Sequence, residues 1–204
     1  MKNQKVTESY FTAKDTGAFE AASMAAVVVG VILVLLWTFF YLGFGFFGLP
    51  LLIVGGAGVI FLRSARVTDE DYEAEIKRIL TINGVEENDM TLKEYVVGKS
   101  DVVKIGKDKR VRTAYYSVAV FEFKNEVCKL KKYSVDVFNE SVTESEYTIP
   151  VGTGCSISER KNNTPIGEIT SNYLVFEGLE ELIIPVDMNV YDTEAVMKRM
   201  APRH

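Results

Sequence analysis

Five of the nine residues from 104 to 112 are cationic: Lys104, Lys107, Lys109, Arg110 and Arg112. Gly106 and Asp108 interrupt them with turn chemistry, which gathers the charges at the bend of a hairpin. Cations at this density bind anions and make no bonds themselves. Near an anionic membrane surface each Lys or Arg contributes about 1 kcal/mol. The wider stretch 99–132 holds ten basic and four acidic residues. Both flanks of that stretch are acidic, and the 204-residue chain carries a net charge of −5. The plainer alternative is a hairpin whose charges only face water.

Nothing else in the sequence assembles into chemistry. The one histidine is His204, and Cys128 and Cys155 stand in separate segments without a CxxC pair. A zinc site or a thiol–imidazole nucleophile therefore has no ligand set to draw on. Gly152-Thr153-Gly154 precedes a strand pattern, not the helix that a phosphate-cradling loop requires. The expectation is a non-enzyme with no metal and no cofactor, and with reduced, core-facing cysteines. Basic residues do alternate with Tyr115, Tyr116 and Phe121, but acidic flanks argue against a nucleic-acid partner.

The element that must carry this hairpin is set by residues 21–62, which contain no Asp, Glu, Lys, Arg or His. A bilayer core is crossed by roughly 20 helical residues, so this stretch is long enough for two spans. We expect them near residues 22–41 and 46–62. The turn between them lies at Gly43, Gly45, Gly48 and Pro50, with Trp37, Tyr41 and neighbouring phenylalanines at the interface. The absence of ionisable residues argues against a proton path, channel or transporter. A cleaved signal peptide fits less well, because the polar arm is long and a second span follows. Ala22, Ala26 and Gly30 share one helical face, and Gly55, Gly56 and Gly58 give the second span a smooth patch. These residues are expected to pack the two helices together or, alternatively, to form a homo-oligomer interface. Lys2, Lys5 and Lys14 precede the stretch, and Arg63, Arg66, Lys77 and Arg78 follow it, which places both termini in the cytoplasm. An inverted topology would make Asn139 and Asn162 glycosylation sequons.

The remaining organisation is an arm over residues 1–20, a juxtamembrane helix and linker over 63–84, and a β-rich domain over 85–204. Thr68 caps the juxtamembrane helix, which carries a Tyr72, Ile76, Ile79 and Leu80 stripe and stops at Asn83-Gly84. Strands are expected at 92–97, 101–105, 110–124, 127–138, 147–150, 155–159, 166–169, 173–176 and 182–185. Apolar residues of both parities in 111–123, and a parity slip at Lys131-Lys132, predict two bulges that bend the sheet toward a barrel. A last helix runs from an Asp192 cap through Val196 and Met200 to Pro202. The fold class is thus a membrane protein of α+β type. It combines a two-helix transmembrane hairpin, a mainly antiparallel barrel or sandwich, and a C-terminal helix.

The tail from Asn172-Tyr173-Leu174-Val175-Phe176 through Leu182-Ile183-Ile184-Pro185 to the helix at 192–200 resembles the end of pleckstrin-homology-like domains. Small bacterial membrane proteins pair such a domain with two spans. The basic turn ending Arg110-x-Arg112 looks like the place where eukaryotic relatives hold phosphoinositides. What the resemblance implies is a bent barrel closed by its C-terminal helix. The expected function is a membrane-anchored, non-catalytic binding or scaffold module that contacts anionic lipid heads or a protein partner. The alternative is an accessory subunit that joins a larger membrane complex through its spans.

Overall fold

A computed structural model describes residues 4–12, 17–40, 46–64, 67–99, 102–188 and 193–201. The expected turn glycines Gly43 and Gly45 lie outside these residues, as do Lys2, Lys14, Tyr41, Arg66, Asp192, Pro202 and His204. The chain divides into two compact units, residues 12–68 and residues 1–11 with 69–204.

In the first unit, helix α2 (Gly17–Phe40) and helix α3 (Gly48–Ser64) pack against each other. Residues Ala18–Phe39 of α2, with a mean hydropathy of 2.5, are long and apolar enough to cross a membrane. Helix α3 is equally free of charge over Gly48–Leu62 but shorter. Pro50 falls in its first turn, where no N–H is needed. Val28, Ile32, Leu35 and Phe39 of α2 are exposed, as are Ile53, Ile60 and Phe61 of α3. Contiguous apolar faces of this kind mark a membrane or a partner surface.

The second unit starts with helix α1 (Gln4–Thr12) and continues at helix α4 (Asp69–Ile82). The first turn of α4 carries Asp69, Glu70 and Asp71, favourable at the positive end of the helix dipole. It stops as the sequence predicts. Val85 donates its N–H to the Leu80 carbonyl (3.0 Å) and Gly84 to that of Thr81 (3.1 Å), a Schellman pair, with Gly84 at φ 70°.

Among the described residues nine strands follow. Strands β1 (Thr91–Tyr95), β4 (Tyr115–Lys124), β5 (Val127–Asp136) and β6 (Ser141–Pro150) form one antiparallel sheet in that order. Strands β2 (Val103–Ile105) and β3 (Val111–Thr113) form a separate hairpin inserted between β1 and β4. Strands β7 (Cys155–Thr164), β8 (Gly167–Phe176) and β9 (Leu179–Val186) form a three-stranded meander, and helix α5 (Thr193–Met200) ends the unit. Among the described residues no sheet closes on itself into a barrel.

The four-stranded sheet is covered on both faces. On one face Leu92, Ala119, Phe121, Cys128, Leu130 and Ile149 join Leu174, Phe176, Leu182 and Ile184 of the other sheet and Val196 and Met200 of α5 in a single core. On the other face α4 covers Tyr95 and Tyr116 with Tyr72, Ile76 and Leu80. This explains why β4 is apolar in both parities. The two expected bulges are absent, since β4 and β5 pair without a slip from Tyr115↔Asp136 to Lys124↔Val127. The parity change at Lys131-Lys132 has a different cause. Cys128 and Leu130 face the sheet-to-sheet core, whereas Tyr133 and Val135 are buried on the opposite face. Lys132 sits where the two regimes meet and donates to the Ile183 carbonyl at 2.8 Å. Burial pushes its ammonium below the ordinary lysine range. Among the described residues, the one register irregularity lies between Val175 and Phe176.

Candidate functional site

The cationic stretch is the β2–β3 hairpin, paired Val103↔Thr113, Lys104↔Arg112 and Ile105↔Val111. Gly106 and Arg110 close a three-residue loop: the Gly106 N–H donates to the Arg110 carbonyl at 2.9 Å, and Lys109 takes φ 65°. That is the geometry of a turn followed by one left-handed residue. Asp108 steadies the loop by accepting the Arg110 N–H at 3.0 Å.

The hairpin sorts its five cations. Arg112 points inward and is only 1% exposed. Its guanidinium donates to both carboxylate oxygens of Asp108, at 2.7 and 2.8 Å, and to Glu73 Oε1 at 2.5 Å. Asp69 Oδ2 lies 3.9 Å away, and the Tyr95 ring centroid 5.9 Å. Burial opposes the charge, but the bonds to Asp108 and Glu73 outweigh it, and the guanidinium is held more firmly protonated than usual. The same pairing lowers the Asp108 carboxyl to about 2. Arg112 Nε is buried with no hydrogen-bond partner.

Arg110 lies between Glu94 (3.4 Å) and Asp187 (3.6 Å), bridging β1 to the end of β9. Burial raises the Glu94 carboxyl above its ordinary value, against the pull of Arg110. Lys104 donates to the Tyr10 carbonyl at 2.6 Å and sits 4.0 Å over the Tyr10 ring. Lys107 and Lys109 are exposed at the tip, beside an Ile105 that is 56% exposed. Of the five predicted contact residues, then, two face solvent and three are built into the fold.

What holds the hairpin was not foreseen. The residues 1–20 are not a single arm: Tyr10 of α1 is fully buried, stacked on Tyr72 of α4 with centroids 4.4 Å apart, and Phe11 packs edge-on against both. Tyr10 donates its hydroxyl to Asp69 Oδ1 at 2.8 Å, while Asp69 Oδ2 accepts the Lys107 N–H at 2.7 Å. Tyr72 donates to the Thr113 carbonyl at 2.8 Å. Burial drives both tyrosine hydroxyls well above their ordinary range. Helix α1, helix α4 and the basic hairpin therefore meet at one carboxylate and one ring.

The small residues also divide. A Cβ on Gly30 would lie 2.9 Å from Leu52 Cγ and 3.0 Å from the Gly48 carbonyl. One on Gly55 would lie 2.9 Å from the Ser23 carbonyl, and one on Gly58 2.7 Å from Ser23 Oγ. These positions form the α2–α3 seam. Gly56 has nothing within 4 Å, Ala22 is exposed and Ala26 half-buried.

Among the described residues no His, Cys, Asp or Glu group is placed to hold a metal ion. Cys128 and Cys155 are free thiols. Burial pushes Cys128 up to about 11, and burial with the neighbouring Glu177 raises Cys155. No protein-family model, curated protein or solved structure matches the chain.

Proposed function

We propose that the chain is a non-catalytic binding or scaffold module anchored in a membrane by α2 and α3. Its β-domain and N-terminus lie at the cytoplasmic face, and Lys107 and Lys109 meet anionic lipid heads. The observation that carries this reading is the bond from the Lys107 N–H to Asp69. Asp69 follows the last residue of α3, Ser64, by five residues, and five residues span at most about 18 Å whatever path they take. The turn that carries Lys107 and Lys109 is thus fastened to the first residue of α4, the helix that follows the apolar pair in sequence.

Two spans are favoured by the docking of α1 on α4, since these segments flank residues 12–68 and belong to one compact unit. Flanks that pack together leave the membrane on the same side, which requires an even number of crossings. The distribution of Lys and Arg favours the cytoplasmic side. The pleckstrin-homology-like resemblance is consistent with a four-stranded sheet, a three-stranded sheet and a terminal helix, with the basic hairpin in the first long connection.

The test uses the full chain in lipid nanodiscs, with a fluorophore attached through the substitution Lys107→Cys and quenchers at the lipid head level. Quenching that is strong in anionic discs, weak in zwitterionic ones and reduced by Lys109→Glu is expected. Equal quenching in both lipids, or none, removes the lipid contact. A second reading, an accessory subunit assembling through its helices, draws on the open space around Gly56.

A further inference from the structure

We propose that α1 is a latch: docking of Tyr10 fixes the basic hairpin, and the hairpin in turn fixes α1, so that the state of the helices leading into α2 and out of α3 is read out at Lys107 and Lys109. This does not depend on lipid contact at the tip. Tyr10, Asp69 and Lys104 stand where the three parts meet. Asp69 gives one oxygen to the Tyr10 hydroxyl and the other to the Lys107 N–H. Lys104, one strand position from the turn, grips the Tyr10 carbonyl and ring. Hairpin β2–β3 belongs to neither larger sheet, so no ladder of sheet hydrogen bonds holds its tip. The junction with α1 and α4 holds it, and the Arg110 bridge to Glu94 and Asp187 adds to that hold.

The junction stands next in sequence to the connections to α2 and α3. Residues 13–16 are all that separate α1 from α2, and residues 65–68 separate α3 from α4. Loss of the Tyr10 seat removes the stack on Tyr72, one acceptor load on Asp69 and both Lys104 contacts at once. Elements with few anchoring bonds open locally while the rest of a domain stays closed. Coupling of this kind is also reciprocal, because two groups that stabilise each other do so by the same free energy in both directions.

The experiment is amide hydrogen exchange on the full chain in nanodiscs. Tyr10→Ala is expected to speed exchange at Gly106, Lys107 and Lys109 about tenfold, with the paired amides of β4 and β5 unchanged. Tyr10→Phe keeps the stack and loses one hydrogen bond, and should give a smaller rise of about threefold. Asp108→Ala, which loosens the hairpin from its far side, should speed exchange in residues 6–11. Unchanged hairpin exchange in Tyr10→Ala overturns the latch. So does a rise of the same size across β4 and β5, which would make α1 merely part of the core. An Asp108→Ala effect confined to the hairpin overturns the reciprocity and with it the coupling.

Discussion

Two helix contacts in this molecule reach stability by opposite routes. The α2–α3 seam uses what is missing: at Gly30, Gly48 and Gly55 the absence of a side chain lets one backbone lie against the other. The junction of α1 and α4 uses what is present, two stacked tyrosine rings, a shared carboxylate and a buried guanidinium with its acids. At Gly30, Gly48 and Gly55 an added atom would meet backbone, while the junction weakens with each polar atom it loses. Close approach of backbones is the attraction that small residues make available to two apolar helices. The charged junction answers its buried guanidinium with carboxylates, Asp108 and Glu73 on its two terminal nitrogens, and leaves only Nε of that group without a partner.

The sharpest break of the comparison is Gly30→Leu, whose side chain would have to displace backbone. We expect separation of α2 from α3, at a cost above about 3 kcal/mol, beyond ordinary overpacking. Loss of disulfide trapping between Ser23→Cys and Gly58→Cys would report it. Arg112→Met comes next. It keeps the volume but leaves Asp108 and Glu73 without their cation, and because both acids are nearly half exposed the loss should be about 2 kcal/mol, below that for a fully buried pair. Chemical denaturation of the full chain would measure it. Tyr72→Phe leaves the ring stack and strands the Thr113 carbonyl, for about 1 kcal/mol.

Asp108→Asn tests the sign of the pH dependence. The folded carboxyl is held near 2, below its ordinary 3.8, so its stabilisation is complete above pH ~4 and disappears as pH falls toward 2. Asp108 is 43% exposed, and solvent screening keeps the effect under about 1 kcal/mol at neutral pH. The Asn variant should lose stability at pH 7 and converge on the parent near pH 2. Gly56→Leu should change the hairpin by less than about 0.5 kcal/mol, since its Cβ meets nothing. A larger change in trapping would mean the seam extends to that face.

Much of this was legible in the chain, for reasons that can be named. An uncharged stretch and a Gly84 stop are local signals, and both helices and the Schellman end follow from them. The covered strands were legible in part: the run expected as one strand over 110–124 breaks at Ala114 into β3 and β4, which belong to different sheets, because apolar residues of both parities hide the break. Residues 141–146 of β6 were missed because this edge strand leaves most of them exposed, and a polar run such as Thr143-Glu144-Ser145-Glu146 has no period to read. Residues 160–164 of β7 were missed for the same reason, and β8 was split in two at its polar middle, Thr170-Ser171-Asn172. The junction was illegible because Tyr10 and Tyr72 stand 62 positions apart. One hint was present: Asp108 four residues before Arg112 across a turn pairs an acid with the one cation that points inward. The remaining signal, Asp69 and Glu73 on a separate helix, needed coordinates.

The seat of α1 has a consequence for how the chain is made. Phe11 packs against Phe138 as well as Tyr72, so a helix synthesised before either partner is among the last to find its place. At about 5–20 residues per second, α1 waits several seconds while α2 and α3 emerge behind it. During that wait α1 has no partner to hide Tyr10 and Phe11, and nothing but the apolar helices that follow can restrain it. The apolar pair is therefore complete in the chain before Tyr10 and Phe11 meet the residues that bury them.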